Sequence, residues 1–247
     1  MKLSGKVAIV TGSRRGMGKA FALGFAQAGA DVVICGRSDD DTLQQVAKEV
    51  EASGHGVLAL RADVSQEADV ENMVNKTMEK FGRIDVLVNN AGVAFHVPFQ
   101  ETPLKRWLLV LNVNLTGAFL CSKYVVPIMI EQKGGSIINF SSGSATDNEL
   151  GPVPTGIAYG VSKAGLERLT LGMATELGQY NIAVNAIKPV RPVSTDGMRY
   201  WMANADQSDW QTPDKMVKCA ILLAQQDASG ITGTVSTDDE FTAWHGL

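Results

Sequence analysis

Tyr159 and Lys163 lie four residues apart in a segment whose apolar pattern predicts a helix over 158–179, so their side chains share one helix face. A phenol with an ordinary pKa of ~10 is a poor base at neutral pH, but a neighbouring ammonium favours the phenolate. Tyr159 could therefore transfer a proton to or from an alcohol oxygen. This spacing is common by chance, and it becomes informative because the pair follows a predicted strand and Ser142.

Two further polar residues could take part in the same chemistry. Ser142 follows the predicted strand 136–140 and could donate a hydrogen bond to a substrate oxygen as negative charge develops there. Ser141 is the alternative to Ser142. Asn114 lies within a predicted helix, where asparagine is locally unfavourable. A polar core residue bonded to the backbone would also explain Asn114, and Asn112 is the neighbouring alternative.

A glycine-rich segment comes directly after one predicted strand and opens a predicted helix; its sequence is Thr11-Gly12-Ser13-Arg14-Arg15-Gly16-Met17-Gly18. Gly12 can supply an unusual backbone turn, Gly16 lets the main chain approach a pyrophosphate, and Gly18 permits close packing of helix and strand. The helix N-terminus offers free N–H donors and a partial positive charge to phosphate. A purely structural glycine turn is the alternative.

These residues are distributed over strands and helices that alternate along almost the whole chain. The predicted strands are 7–11, 31–35, 57–61, 84–89, 136–140, 182–187 and 234–236, and the predicted helices are 16–28, 41–53, 66–81, 103–132, 158–179 and 212–225. Such alternation predicts an α/β fold with a mostly parallel sheet and helices on both faces. No linker or repeat divides the chain, so we expect one domain over 1–247, with variable loops at about 143–157 and 189–211.

Composition excludes several classes of protein. The 247 residues are 45% hydrophobic and 19% charged, which excludes a disordered or fibrous chain. A net charge of −4 does not favour a nucleic-acid binder. Three scattered cysteines, no signal-like N-terminus and no apolar run near the ~18 residues that span a bilayer predict a cytoplasmic protein without a membrane partner. The three histidines are isolated, so no metal site is expected.

The glycine-rich turn, Asn89-Asn90-Ala91-Gly92, Asn114, Ser142 and the Tyr159–Lys163 pair together resemble the short-chain dehydrogenase/reductase family, over residues 3 to about 236. The resemblance implies a doubly wound Rossmann-type fold with a seven-stranded sheet, a nicotinamide cofactor and hydride transfer between a carbonyl and an alcohol. It implies that Ser142 positions the substrate oxygen and Tyr159 transfers the proton. Lys163 would tune Tyr159 and bind the nicotinamide ribose, and Asn114 would hold a water that links Lys163 to solvent.

The resemblance also implies a set of cofactor contacts. They comprise Gly12, Ser13, Arg14, Arg15, Gly16, Met17 and Gly18 in the turn, Arg37, Ser38, Asp63, Val64, Asn90, Ala91 and Gly92 after strands, Tyr159 and Lys163, and Pro189, Val193 and Thr195 after the sixth strand. Asp63 could instead cap the helix that follows Ser65. The segment from Asn90 to Gly92 could be a simple strand-end turn.

Charge favours NADP(H) over NAD(H) as the cofactor. NAD-specific sites usually place a carboxylate on the ribose at the end of the second strand, and this strand ends Gly36-Arg37-Ser38. Arg15 and Arg37 could pair with a 2′-phosphate through charge-assisted hydrogen bonds. Alternatively, both are solvated surface arginines, one of them bound by Asp39, Asp40 or Asp41.

The chain departs from the family pattern in three places. Val190 replaces a glycine and Pro192 stiffens the loop that carries Val193 and Thr195. Ser142 and Tyr159 are 17 residues apart, a longer separation than usual, and we expect the extra residues at about 146–155 to form one wall of a pocket. The tail Asp238-Asp239-Glu240 lacks the family's usual glycine pair.

The expected substrate is a small carbonyl or alcohol. Aromatic and methionine residues in the 189–211 loop suit an apolar or ring-bearing substrate, although they could merely pack the loop onto the protein; these are Met198, Tyr200, Trp201, Met202 and Trp210. The resemblance implies that helices 103–132 and 158–179 form the interface of a homotetramer or homodimer. A non-catalytic dinucleotide-binding sensor or scaffold is the alternative function, but binding alone requires neither Ser142 nor Tyr159.

Overall fold

Seven parallel strands form a single sheet in the computed structural model, which describes residues 2–38, 40–146, 156–201 and 206–247. The strands are β1 (Val7–Val10), β2 (Asp31–Gly36), β3 (Val57–Arg61), β4 (Val86–Asn89), β5 (Gly135–Phe140), β6 (Ile182–Lys188) and β7 (Val235–Thr237). Their order is β3-β2-β1-β4-β5-β6-β7, and every neighbouring pair is parallel. The predicted seven-stranded, doubly wound α/β fold is confirmed.

Helices cover both faces of the sheet because most strands are apolar on both sides. The helices are α1 (Gly16–Gln27), α2 (Asp41–Glu51), α3 (Glu67–Phe81), α4 (Leu104–Leu111), α5 (Gly117–Glu131), α6 (Ile157–Leu177), α7 (Asp196–Trp201), α8 (Asp214–Leu223) and α9 (Asp238–His245). On β1, Val10 faces a core that contains Phe21 of α1, whereas Ile9 faces a core that contains Met129 of α5. Successive strand residues thus supply the two opposite cores.

The predicted helix over 103–132 is continuous but irregular. A π-helical segment, Asn112–Thr116, joins α4 to α5. The whole stretch Leu104–Glu131 is long and apolar enough to cross a membrane by length and composition, which contradicts the expectation that no run approaches this limit. A single such helix is weak support for a span, because core helices pass the same test, and α5 contributes Val125 and Met129 to one core of the sheet.

Two helices lie where the sequence patterns predict none. The short α7 falls in the variable loop 189–211, and α9 occupies the tail that begins at Asp238. Thr237 caps α9, since its hydroxyl accepts from the Glu240 N–H while the Glu240 carboxylate accepts from the Thr237 N–H. Asp238 is buried in this tail and accepts a hydrogen bond from the Val190 N–H at 2.8 Å. The tail thereby holds the loop in which Val190 replaces a glycine.

Candidate active site

The glycine-rich turn packs directly against the segment that follows β4. Gly12 has a φ of +64°, and a Cβ at this position would lie 2.7 Å from Ala91 Cα. A Cβ on Gly18 would lie 2.4 Å from the Gly12 carbonyl oxygen and 2.5 Å from Asn90 Nδ2. Neither position leaves room for a side chain, so the tight turn requires glycine at both.

Asn90 holds this turn through its side chain. Its Nδ2 donates to the carbonyl oxygens of Thr11 at 2.9 Å and Gly12 at 3.2 Å. The Thr11 hydroxyl oxygen in turn accepts from the N–H groups of Asn90 and Ala91, at 3.0 and 3.1 Å. Thr11 is therefore a site residue, and the motif alone does not predict this role of its hydroxyl. Thr11 directly follows β1, and Asn90 directly follows the neighbouring strand β4. A hydroxyl at such a position is the sequence signal that could have identified Thr11.

Ser13 serves the turn in the same way. It is fully buried, its hydroxyl donates to the Val10 carbonyl at 2.8 Å, and its oxygen accepts from the Cys35 N–H at 2.9 Å. These bonds tie the turn to β1 and β2. The Ser13 side chain is thus engaged within the protein.

The arginines of the turn lie in different surroundings. Arg14 packs against Gly36 at the end of β2, and its guanidinium makes a two-point pair with Asp40, at 2.8 and 2.7 Å. The alternative in which Asp40 binds Arg15 or Arg37 is therefore wrong, because Arg14 occupies the Asp40 carboxylate. Arg15 and Arg37 are exposed and make no ion pair within the part of the chain that the structure describes. Ser38 is exposed beside Arg37.

Asp63 forms a local turn after β3. Its Oδ1 accepts from the Ser65 N–H at 3.0 Å and from the Ser65 hydroxyl at 2.7 Å. The α3 helix begins at Glu67, with Gln66 at the N-cap, so the alternative in which Asp63 caps this helix is wrong. Val64 is buried against the start of α5, where a Cβ on Gly117 would lie 2.7 Å from its Cγ2.

Tyr159 and Lys163 occupy the first turns of α6, close to the end of β5. Lys163 is 2% exposed, its Nζ donates to the Phe140 carbonyl at 2.6 Å, and Nζ lies 5.6 Å from the centre of the Tyr159 ring. Burial lowers the pKa of Lys163 to about 8, and the charge of Glu167 opposes this change.

The electrostatics of Tyr159 differ from the expectation. Burial raises the pKa of Tyr159, and a hydrogen bond with Ser142 only partly opposes this. The expected net lowering by a neighbouring ammonium is wrong for this structure, because burial of the phenol outweighs other influences. Tyr159 is therefore protonated at neutral pH and suited to donate a proton.

The two candidate serines have separate surroundings. The Ser141 hydroxyl donates to Glu167 Oε1 at 2.7 Å and is buried. Ser142 instead hydrogen-bonds with Tyr159, and its Oγ accepts from the Ser144 N–H at 3.3 Å. Ser142 is thus the serine that faces the phenol.

A cavity of about 280 Å³ brings these groups together. Its lining comprises Met17, Phe140, Ser141, Ser142, Gly143, Ser144, Tyr159, Pro189, Val190, Arg191, Pro192, Val193, Thr195 and Met198. Thr195 Oγ1 lies 3.7 Å from the position of a Cβ on Gly16, so the loop after β6 approaches the glycine-rich turn here. A second, apolar cavity of about 360 Å³ is lined by Phe99, Thr102, Leu104, Trp107, Ile157 and Ala158.

Asn114 lies behind Tyr159, in the π-helical segment, and is 1% exposed. Its Nδ2 donates to the Val93 carbonyl and to Ser162 Oγ, both at 3.0 Å, while its Oδ1 accepts from the Val93 N–H at 2.8 Å. The Ser162 hydroxyl donates to the Tyr159 carbonyl at 2.7 Å. Both N–H groups of the Asn114 side chain therefore donate hydrogen bonds within the protein. This agrees with the alternative in which Asn114 is a polar core residue bonded to the backbone. Asn112 is exposed.

Other expectations concern the rim of the site. Gly92 lies near the Asn114 side chain, with 3.5 Å between its Cβ position and Asn114 Oδ1. Of the predicted wall at about 146–155, residues 147–155 lie outside the described residues, as does Met202. Within the described ranges, no group of three or more His, Cys, Asp or Glu side chains could hold a metal ion.

Comparisons with known proteins identify the relatives of this chain. Residues 6–206 match the family model described as short chain dehydrogenase. The chain is 35% identical, over 94% of its length and 90% of the relative's, to 2-dehydro-3-deoxy-D-gluconate 5-dehydrogenase of Formosa agariphila. It is 36% identical, over 95% of both chains, to (2S)-[(R)-hydroxy(phenyl)methyl]succinyl-CoA dehydrogenase subunit BbsD of Thauera aromatica. The crystal structure of levodione reductase superposes with a TM-score of 0.87 at 29% identity, covering 98% of this chain and 99% of that one.

Proposed function

The chain belongs to the short-chain dehydrogenase/reductase family, and from this premise we propose that it is an NADP(H)-dependent oxidoreductase that interconverts a ketone or aldehyde and an alcohol. The observation that carries the proposal is the cavity in which Ser142 and Tyr159 meet, with Lys163 buried behind them. This arrangement provides a hydrogen-bond donor and a proton donor for one oxygen atom.

The residues of the turn fit a dinucleotide. α1 begins at Gly16 without a side-chain cap, so its first N–H groups are available to a phosphate. Gly16 has a φ of +62°, and its Cβ position meets nothing nearer than Thr195 Oγ1 at 3.7 Å. The space over this glycine can therefore accept a pyrophosphate against the backbone.

The reduction follows from the positions of the chain's own groups. The nicotinamide, when bound, supplies a hydride to the carbonyl carbon. Ser142 donates a hydrogen bond to the carbonyl oxygen, and Tyr159 gives its phenolic proton to the same oxygen, which completes the alcohol. Lys163 stabilises the phenolate that is left, and the phenolate regains a proton from solvent. Alcohol oxidation is the same sequence in reverse.

The function is tested by following NADPH oxidation with a panel of carbonyl compounds. Steady turnover with at least one ketone or aldehyde is the expected result. Tight NADPH binding without turnover on any carbonyl would contradict the proposal and favour the sensor or scaffold.

We base the preference for NADP(H) on the exposed guanidinium groups of Arg15 and Arg37, which have no ionic partner in the described chain. Each charge-assisted hydrogen bond to a 2′-phosphate contributes about 1.5–3 kcal/mol. The double variant Arg15→Ala/Arg37→Ala should therefore lower the ratio of kcat/KM for NADPH to that for NADH by at least about tenfold. Arg83→Ala, at an exposed position before β4, is the control. An unchanged ratio would refute the preference.

The apolar lining of the second cavity supports an apolar or ring-bearing substrate, together with Met198 in the catalytic cavity. Arg191 favours a second candidate class, because among the described residues that line the catalytic cavity it is the only charged one. A carbonyl compound that carries a carboxylate would suit this cation. Activity with aryl ketones and with keto acids should be compared in the wild type and in Arg191→Gln. A raised KM for keto acids alone supports the second class, and equal effects on both classes contradict it.

We propose a homo-oligomer, either a tetramer or a dimer, in which the outer faces of α4, α5 and α6 meet a second copy. Large apolar side chains are exposed on these helices, among them Leu108, Phe119, Val161 and Leu171. Light scattering should give a mass above that of one chain, and Phe119→Glu should reduce it. A monomeric wild type would refute this proposal.

A cytoplasmic location is also part of the proposal. Cys35, Cys121 and Cys219 are all buried and unpaired, as thiols in a reducing compartment are. Fractionation of the native host should find the protein with cytoplasmic markers, and recovery with membrane or secreted markers would contradict this.

A further inference from the structure

A largely buried ion pair joins β6 to α6 beside residues that line the catalytic cavity. Lys188 Nζ on β6 is 3.1 Å from Glu167 Oε1 on α6, and the two side chains are 10% and 12% exposed. The same Oε1 accepts the Ser141 hydroxyl at 2.7 Å, and Lys188 also donates to Thr146 Oγ1 at 3.1 Å. Glu167 Oε1 therefore accepts hydrogen bonds from Ser141, after β5, and from Lys188, on β6.

A buried ion pair is weak support for a purely stabilising role. Removing two charges from water is costly, and such pairs can often be replaced by apolar residues without loss of stability. The other ion pairs in the described chain have at least one partner that is more exposed than either side chain of this pair. The position of this pair in the fold therefore suggests another role.

Each contact of Glu167 lies next to a residue that lines the catalytic cavity. Ser141 precedes Ser142, which faces the phenol. Lys188 precedes Pro189, where the loop that lines the cavity begins. Glu167 itself is one helical turn after Lys163 on the same face of α6.

We propose that Glu167 is a positioning residue for carbonyl reduction, an inference that rests on the proposed function. Its carboxylate joins the end of β5, the end of β6 and α6, and so fixes Ser142 relative to Tyr159 and Lys163. Misplacement of reacting groups by about 1 Å can cost on the order of a hundredfold in rate. Glu167 touches neither the cavity's phenol nor its Ser142 hydroxyl, and acts through its neighbours.

The charge of Glu167 also acts on Lys163. The groups that face Lys163 are Tyr159 and Glu167 on its own helix and the Phe140 carbonyl on β5, with Lys188 on β6 reaching it through Glu167. Burial lowers the pKa of Lys163 to about 8, and Glu167 opposes this. The carboxylate therefore keeps more of Lys163 in the ammonium form that stabilises a phenolate.

Glu167→Gln tests the inference because it keeps the size of the side chain and an oxygen for Ser141, but removes the charge. It leaves Lys188 buried without a counter-ion. The double variant Glu167→Gln/Lys188→Gln is therefore needed, because it also removes this unpaired charge. Glu176→Gln, at an exposed position on the same helix, is the matched control. The measurements are kcat and KM, the pH profile of reduction, thermal unfolding, and the titration of Lys163 by NMR in the protein without cofactor.

We expect kcat to fall at least about tenfold in both Glu167 variants, while KM for NADPH changes by less than about twofold. The decline of activity at alkaline pH should begin at a lower pH, and the Lys163 titration should move in the same direction. The double variant should recover the thermal stability that Glu167→Gln loses. Glu176→Gln should match the wild type.

A double variant with the kcat and pH profile of the wild type would show that Glu167 is only structural and would overturn the inference. Failure of the proposed function is a different result, in which the wild type itself reduces no carbonyl. The Lys163 titration still decides in that case, because it needs no turnover. An unchanged titration in both variants would refute the action of Glu167 on Lys163.

Discussion

We expect the buried Lys163 side chain to lower the free energy of unfolding of the protein. Its ordinary pKa of 10.5 falls to about 8 because burial disfavours the ammonium, and this difference corresponds to roughly 3 kcal/mol. Lys163→Met removes that cost but loses the hydrogen bond to the Phe140 carbonyl, which is worth about 1 kcal/mol. We therefore expect the variant to be about 2 kcal/mol more stable than the wild type at neutral pH and to be inactive.

The pH dependence of this difference identifies its cause. Between about 8 and 10.5 the unfolded chain binds a proton at Lys163 that the folded chain has lost, so the stability of the wild type rises with pH in this range. Methionine does not titrate, and the advantage of the variant should disappear by the upper end of the range.

The assay is urea unfolding at a fixed protomer concentration, with Lys48→Met at an exposed position as the control. A Lys163→Met protein that is less stable than the wild type at neutral pH would refute the reasoning. So would an advantage that does not shrink as the pH rises.

Three further predictions concern the turn, the asparagine and the pH profile. Gly18→Ala should destabilise the chain by about 1–3 kcal/mol and weaken NADPH binding in a fluorescence titration, because its Cβ meets Gly12 and Asn90 at 2.4 and 2.5 Å. Gly178→Ala, whose Cβ meets nothing within 4 Å, is the control, and equal effects would contradict the packing argument. Asn114→Leu should cost about 2–3 kcal/mol in urea unfolding, since it leaves the part-buried N–H and carbonyl of Val93 without partners; unchanged stability would contradict this. The kcat for reduction should be level at neutral pH and fall through about pH 8, where Lys163 loses its proton, and a rise there would be the opposite result.

The fold could be predicted because its signals are local and repeated. Buried parallel strands are apolar on both faces, and the helices between them have amphipathic patterns, so all seven strands were recognisable. α7 spans only Asp196–Trp201, which is too short to show a period. α9 did leave a signal, since Thr237-Asp238-Asp239-Glu240 has the spacing of a capping box.

The site could be predicted only where its motifs lie within one element. Tyr159 and Lys163 share a helix, and the glycines share a turn, so spacing alone relates them. The Glu167–Lys188 pair joins residues that are 21 positions apart on different elements, and nothing in either segment indicates the other. Burial likewise decides the pKa of Tyr159, and burial depends on the tertiary packing.

The central claim is that Tyr159 gives the proton that completes the alcohol. The most direct test is NADPH-dependent carbonyl reduction by Tyr159→Phe, measured beside the Kd for NADPH. Loss of the phenolic hydroxyl should lower kcat by a factor on the order of a thousand, and the Kd should stay within about twofold of the wild type. A variant that still reduces the carbonyl at the wild-type rate would contradict the mechanism.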